Sequence, residues 1–418
     1  MNIHTIVRKL YQIRRINRQI LRFFSIGMCC ILFSCQNEHS AKGEAVNLYG
    51  GAARTNSYER FGSFVASVAD NEKILTPDSS GSMIPPLAVS SYQTVCATVS
   101  GTILQCTSSM LEWSAKLDNS AYVISGMCAD GEHNIYALAS DGCLHSFTAT
   151  GKRRFKTQIS DEESPSYWET LSVADGIICT ATDGQVSKVS LDGKIRWQYK
   201  TTLAAVGTAS SDEHNNIYIS YTHNDFSASD SLVKISSDGK LIWKTGFTAR
   251  IVTVPVVGNG MIVAGVVQSD NRPVITAIDF NGKVLWSQEL KATPRGISIA
   301  NDGSIIIISY NAGLGIAQSN IEQFSPAGKS EWTINFDARI ASPALIGKDN
   351  IAVIGVRLAA IGVYLIDREG ILDTFLSLDS APSLILKPVV APGGSIIFAA
   401  ARNGYITRVG AKRGLLPI

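Results

Sequence analysis

The sequence lacks the short motifs that mark several common enzyme classes. It has no C-x-x-C pair, no Gly-x-Ser-x-Gly elbow and no two histidines at metal-ligand spacing. Zinc-site, thioredoxin-like and serine-hydrolase chemistry therefore miss their minimal residue sets. No stretch shows the 3.6-residue apolar period of an amphipathic helix, which excludes helical solenoids. The apolar run over residues 23–33 is eleven residues long, well short of the roughly 20 needed for a spanning helix. No acidic or basic low-complexity tail is present either.

What is there begins with a segment to set aside. The first 34 residues carry Arg8, Lys9, Arg14, Arg15, Arg18 and Arg22, no acid, and then the apolar run. Basic, then apolar, then small is the order of a secretory signal. It ends in Leu32-Phe33-Ser34-Cys35, which resembles the lipobox of bacterial lipoproteins, where the cysteine receives the lipid. The other reading is a short membrane anchor with an incidental cysteine. The expected layout is a signal over 1–34, a lipidated Cys35 opening a polar tether over 35–45, and a folded body over 46–418. Without the signal, 31 basic residues face 35 acidic ones, a net charge of −4. Phosphate backbones need clustered Lys and Arg, so no nucleic-acid partner is expected.

A phrase then recurs through the body: a Gly-Lys turn, two residues, and an aromatic. Gly193-Lys194 leads to Trp197, Gly239-Lys240 to Trp243, Gly282-Lys283 to Trp286, and Gly328-Lys329 to Trp332. Gly151-Lys152 leads to Phe155, and weaker copies place Trp113 and Thr374 at the same slot. The spacings between successive anchors are 42, 42, 46, 43, 46 and 42 residues. Within each period, short alternating β-rich runs are separated by Gly, Asn and Asp turns, which reads as four strands in tight hairpins. Seven fourth strands are accounted for by these anchors. Three more strands over 386–410 lack a fourth, and Asn71 to Thr76 supplies a lone one near the start. The predicted fold is all-β: an eight-bladed β-propeller of four-stranded blades, its ring closed by an N-terminal strand completing the C-terminal blade. Closure removes sheet edges that invite aggregation.

These phrases, with Leu48-Tyr49-Gly50-Gly51-Ala52-Ala53-Arg54-Thr55, resemble the pyrroloquinoline-quinone-like (PQQ-like) propeller repeat family over nearly all of 46–418. The resemblance implies that Trp113, Phe155, Trp197, Trp243, Trp286 and Trp332 are structural anchors that dock each blade on the next. One branch of the family comprises quinone-dependent dehydrogenases, which hold the cofactor and calcium on the axis and share a vicinal disulfide. Here the only adjacent cysteines, Cys29-Cys30, fall in the signal. The other branch comprises lipoproteins that assist β-barrel assembly at the outer membrane. Anchor, size and blade count match that branch, while the first and seventh blades are degenerate. The implied function is a lipid-anchored protein-binding scaffold of the bacterial envelope, not an enzyme, with no cofactor or metal. Its partners would be the membrane, through the anchor, and an envelope protein such as a β-barrel assembly complex. Gln36 after Cys35 favours the outer membrane, facing the periplasm, by resemblance to enterobacterial sorting. The alternative is a periplasmic PQQ-dependent oxidoreductase or a ligand-sensing relative.

Strand parity places the second-to-third loops and the between-blade connections on one face, and the long segments fall there: 160–170, 222–230, 268–273 and 311–320. Elaborated loops on a rigid scaffold mark a binding surface, against the bland reading of neutral drift. Glu162, Tyr167, Trp168 and Phe226 are the candidate partner-binding residues. His133 and His214 repeat at one turn slot, which favours solvated turns over a metal site, and His145 is expected to pack. Cys96 and Cys106 flank the turn at Ser100-Gly101, either as a disulfide or, as expected here, as buried thiols.

Overall fold

A computed structural model describes residues 47, 51–64, 72–75, 84–98, 100–107, 110–160, 166, 168–223, 230–311, 318–340, 342–357, 360–380, 387–399 and 405–410. All of them lie in one compact unit, and no α-helix occurs among them. No helix among them is therefore long and apolar enough to cross a membrane. Eight antiparallel sheets follow one another along the chain. Blade 1 runs from its inner strand Leu87–Ala88 to its outer strand Leu111–Lys116, blade 2 from Cys128–Ala129 to Arg153–Gln158, and blade 3 from Leu171–Val173 to Ile195–Tyr199. Blade 4 ends in Leu241–Phe247, blade 5 in Val284–Glu289, blade 6 in Ser330–Phe336 and blade 7 in Leu372–Ser380. Blade 8 takes three strands from the C-terminal region, Val389–Val390, Ile396–Ala399 and Tyr405–Val409. Its outer strand is Glu72–Leu75, paired antiparallel with Glu72 opposite Arg408 and Leu75 opposite Tyr405. Blades 8 and 1 share an apolar cluster that includes Cys96, Leu104, Ile397 and Ile406, so the ring is closed.

Alternation of apolar and polar residues holds only on the outer strands. Leu111–Lys116 and Leu241–Phe247 alternate between exposed and half-buried, whereas Ile135–Leu138 and Ile305 to Ile308 are buried at every residue. A blade is sandwiched between two neighbours, so its middle strands have no solvent face. Continuous apolar runs are the consequence. Burying each such side chain contributes about 1.5–3 kcal/mol, which explains why the middle strands are rich in Ile and Val.

The Gly-Lys-x-x-Trp phrase is a lock between blades. The indole Nε1 of Trp113 donates to Ala149 O at 3.0 Å, Trp197 to Ser237 O at 3.0 Å and Trp243 to Phe280 O at 2.9 Å. Trp286 and Trp332 bind Pro326 O and Arg368 O in the same way, each at 3.0 Å. Every acceptor is the residue two before the glycine in the turn of the next blade. The glycine does two things there. Gly239 has φ +87°, which L side chains rarely adopt, and a Cβ on it would sit 2.6 Å from the Trp197 ring.

Blade 2 carries Phe155 in place of Trp and has no indole donor. Arg154 replaces it: its Nη2 donates to Leu191 O at 2.9 Å, the equivalent turn carbonyl of blade 3. Its Nη1 reaches Tyr136 Oη at 2.7 Å and Ser146 Oγ at 3.0 Å, and Tyr136 in turn donates to Asp130 at 2.6 Å.

Candidate functional site

The residues at the axis come from the N-terminal segment and from the starts of the inner strands. Residues 51–64 run around the wall of the channel as a hoop. Ala52 O accepts from Ser211 N of blade 4, Ala53 O from Val257 N of blade 5, Thr55 O from Ile299 N of blade 6 and Asn56 O from Ile346 N of blade 7. Asn47 exchanges two hydrogen bonds with Ser172 of blade 3, at 2.7 and 2.9 Å. The hoop thus visits four consecutive blades, and Asn47 adds a fifth, satisfying inner-strand N–H groups that have no neighbouring strand. Its signal in the sequence was the Gly51-Ala52-Ala53-Arg54-Thr55 phrase, which by itself did not reveal the path.

Arg54, 1% exposed and at φ +60°, points from the hoop into blade 4 and donates through Nε to Ala209 O at 2.8 Å. Close by, Glu169 forms an ion pair with Lys387. Each of these two residues stands two positions before an inner strand, in blades 3 and 8. Those blades are three apart in a ring of eight, so the pair crosses the channel. Burial pushes the Glu169 carboxyl up, but Lys387 and Arg54 together overcome that and hold it below the usual carboxylate range. The carboxylate at this place is committed to two cations, an arrangement that does not fit a calcium–quinone pair. Among the described residues, no group of three or more His, Cys, Asp or Glu is placed to hold a metal ion.

On the loop face, the connection into blade 3 is fixed near its end. Ser166 O accepts from Thr182 N at 3.0 Å, and Trp168 N donates to Thr180 O at 2.9 Å. Trp168 is half-buried, packs against the cluster of blades 3 and 4, and donates Nε1 to Ala205 O at 3.1 Å. It is therefore a wedge between blades as well as a surface residue. Glu162, Tyr167 and Phe226 lie outside the described residues, as does Cys35. The described residues flanking the loop that holds Phe226 are joined by one buried carboxylate: Asp230 accepts from His223 N at 3.0 Å, and also from Ile251 N of blade 5 at 2.7 Å.

The remaining candidates fall to structural roles. His145 is buried, with Nε2 against Asp141 at 3.1 Å, and burial lowers its pKa despite that carboxylate. The Asp130 and Asp212 carboxylates cap the turns that hold His133 and His214. The five cysteines of the folded body are buried and none forms a disulfide. Cys106 is held below its usual thiol range by a hydrogen bond with Cys96, while burial pushes Cys128 up to about 12.

Closed ring, indole locks and Gly-turn phrases define an eight-bladed propeller that is similar to the PQQ-like repeat family and to BamB. Residues 213–339 match the family described as outer membrane protein assembly factor BamB. No curated protein sequence matches the chain. Among solved structures, BamB from Moraxella catarrhalis superposes with a TM-score of 0.59 at 16% identity, over 84% of this chain and 99% of that one. The quinohemoprotein alcohol dehydrogenase ADHIIG from Pseudomonas putida HK5 gives 0.60 at 12%, over 88% and 81%. The computationally designed Ika8 protein gives 0.62 at 12%, over 80% and 98%. At these identities the likeness is one of fold.

Proposed function

We propose that this protein is a lipid-anchored protein-binding scaffold of the bacterial envelope that assists assembly of outer-membrane β-barrel proteins. The match of residues 213–339 to the BamB family carries this reading. The lipobox-like Leu32-Phe33-Ser34-Cys35 supports it, as does the gathering of long loops on one face of a rigid ring. Acyl chains on Cys35 would contribute about 0.8 kcal/mol per buried methylene, and more than one chain makes anchoring stable. The tether over 35–45 would hold the propeller at the periplasmic surface of the outer membrane, where the face with Glu162, Tyr167, Trp168 and Phe226 receives the partner. The oxidoreductase reading is weaker, because the Glu169 carboxylate at the channel is already held by Lys387 and Arg54.

Affinity capture of the full chain from detergent-solubilised envelopes tests the proposal. Recovery of a barrel protein with its assembly partners is the expected result. The triple change Glu162→Ala, Tyr167→Ala and Phe226→Ala is expected to lower recovery at least tenfold while the melting temperature holds. Trp168→Ala is a poor probe, since it also removes the bond to Ala205 O. Recovery of bait alone, combined with reduction of an artificial acceptor after addition of quinone and calcium, would overturn the scaffold reading.

A further inference from the structure

The eight outer strands are not held alike. In blades 1 to 7 a hairpin turn joins the third strand to the outer one. In blades 1 to 6 an indole, or Arg154 in blade 2, also binds the turn of the next blade. The outer strand of blade 8, Glu72–Leu75, has neither tie. It comes from the other end of the chain, so no hairpin joins it to Tyr405–Val409, and its four residues include no aromatic. A ladder of four register pairs with Tyr405–Val409 attaches its backbone to the sheet.

Both flanks of this strand are fixed without it. Phe64, 3% exposed, donates its N–H to Asn350 Oδ1 at 2.9 Å, and its carbonyl accepts from Asn350 Nδ2 at 2.9 Å. Ile84 is buried in the apolar cluster of blades 1 and 2. Residues 65–83 join these two points and include the strand. A chain of that length reaches about 60 Å when extended. The strand can therefore leave while the hoop and blade 1 keep their places. Blades 8 and 1 stay joined through Cys96, Leu104, Ile397 and Ile406, and through Arg408, which donates to Tyr92 O at 3.1 Å.

We propose that blade 8 is a strand-exchange site, where an extended segment of the protein's partner replaces Glu72–Leu75 and pairs antiparallel with Tyr405–Val409. Release of the native strand uncovers a row of N–H and C=O groups, which an incoming strand satisfies with main-chain hydrogen bonds. The edge specifies what it takes. Directly opposite residues share a face of the sheet, and Ile406 and Arg408 are both buried at the seam with blade 1. The incoming residue opposite Ile406 is therefore aliphatic. The one opposite Arg408, two positions earlier in the incoming strand, is acidic, the charge that matches a guanidinium. The native sequence places Ile74 and Glu72 at these two positions. This inference rests on the scaffold reading only for the identity of the partner.

Hydrogen exchange of the full chain in detergent is the first test. Amides of Tyr405–Val409 are expected to exchange about tenfold faster than those of Gln318–Phe324, the third strand of blade 6, because local opening frees them. A fluorescein-labelled peptide of residues 70–77 then probes exchange directly. It should bind the full chain, and an Ile74→Lys version should bind at least fivefold more weakly. Lys73 and Thr407 stand opposite each other in register, within disulfide reach. The double variant Lys73→Cys and Thr407→Cys thus fastens the native strand when oxidised. Peptide binding is expected to vanish in the oxidised variant and to return on reduction. Equal exchange in the two strands, no binding of the native-sequence peptide, equal binding of its Lys version, or full binding by the oxidised variant would each overturn the proposal. Failure of the scaffold reading shows separately, as absence of a captured envelope partner while the peptide still binds.

Discussion

At the scale of single residues, an exchange at one position is offset by its neighbour. Phe155 lacks the indole N–H, and Arg154, one residue earlier, supplies a donor to the carbonyl that would otherwise be left without the lock. A buried carbonyl deprived of its donor costs roughly 1–3 kcal/mol, and the half-buried Leu191 carbonyl falls at the lower end. Arg154→Met is therefore expected to destabilise the protein by about that amount, read as a fall in urea midpoint. Phe155→Trp added to Arg154→Met should recover part of the loss, because the indole reaches the same acceptor. A double variant no more stable than Arg154→Met would show that the arginine acts instead through Tyr136 and Ser146. The anchor positions were legible in the sequence because they repeat. This substitution of donors was not, since Arg154 looks like any exposed strand residue until the Leu191 carbonyl is placed beside it.

Among the elements, the two degenerate repeats mark where the ring closes. Blade 8 draws its outer strand from Glu72–Leu75, so its third strand, Tyr405–Val409, is not joined to the outer one by a hairpin turn. Blade 7 therefore has no turn on which to dock an indole, and Thr374 occupies its anchor slot. For the same reason, the blade 1 turn between Thr107 and Met110 has no glycine to receive a ring. Arg408 holds that junction instead, donating to Ser91 O, to Tyr92 O at 3.1 Å and to Thr94 Oγ1 at 3.3 Å. Thr374→Trp should consequently leave the melting temperature unchanged or lower it. A rise of several degrees would mean that a docking partner exists there after all. Irregularity in the repeat thus carried information about topology that the regular copies lacked.

For the molecule as a whole, the channel is threaded and crossed by charges. The hoop ties blades 4 to 7 from within, Asn47 adds blade 3, and the Glu169–Lys387 pair joins blades 3 and 8. Glu169→Gln leaves Arg54 buried beside a neutral amide. Removing one partner of a buried pair costs about 3–5 kcal/mol, and the lower end applies because the Lys387 side chain is 39% exposed. The pH dependence has a definite sign. The folded carboxyl titrates below its unfolded value of about 4.3. Its contribution is present above that pH and is lost as pH falls through the folded value. Glu169→Gln should thus unfold earlier than the parent at pH 7, with the gap closing toward pH 3. A gap that stays constant down to pH 3 would place the effect in packing rather than charge.

The sequence by itself determined the periodic part of this protein: eight blades, the anchor slots, the Gly turns, the closing strand and the face that collects long loops. Each of these is a local pattern, a strand or a hairpin turn, repeated often enough to be read. Only the tertiary structure decided what meets at the axis and between blades. Arg54 lies 115 residues from Glu169 and 333 from Lys387 along the chain, and nothing periodic joins them.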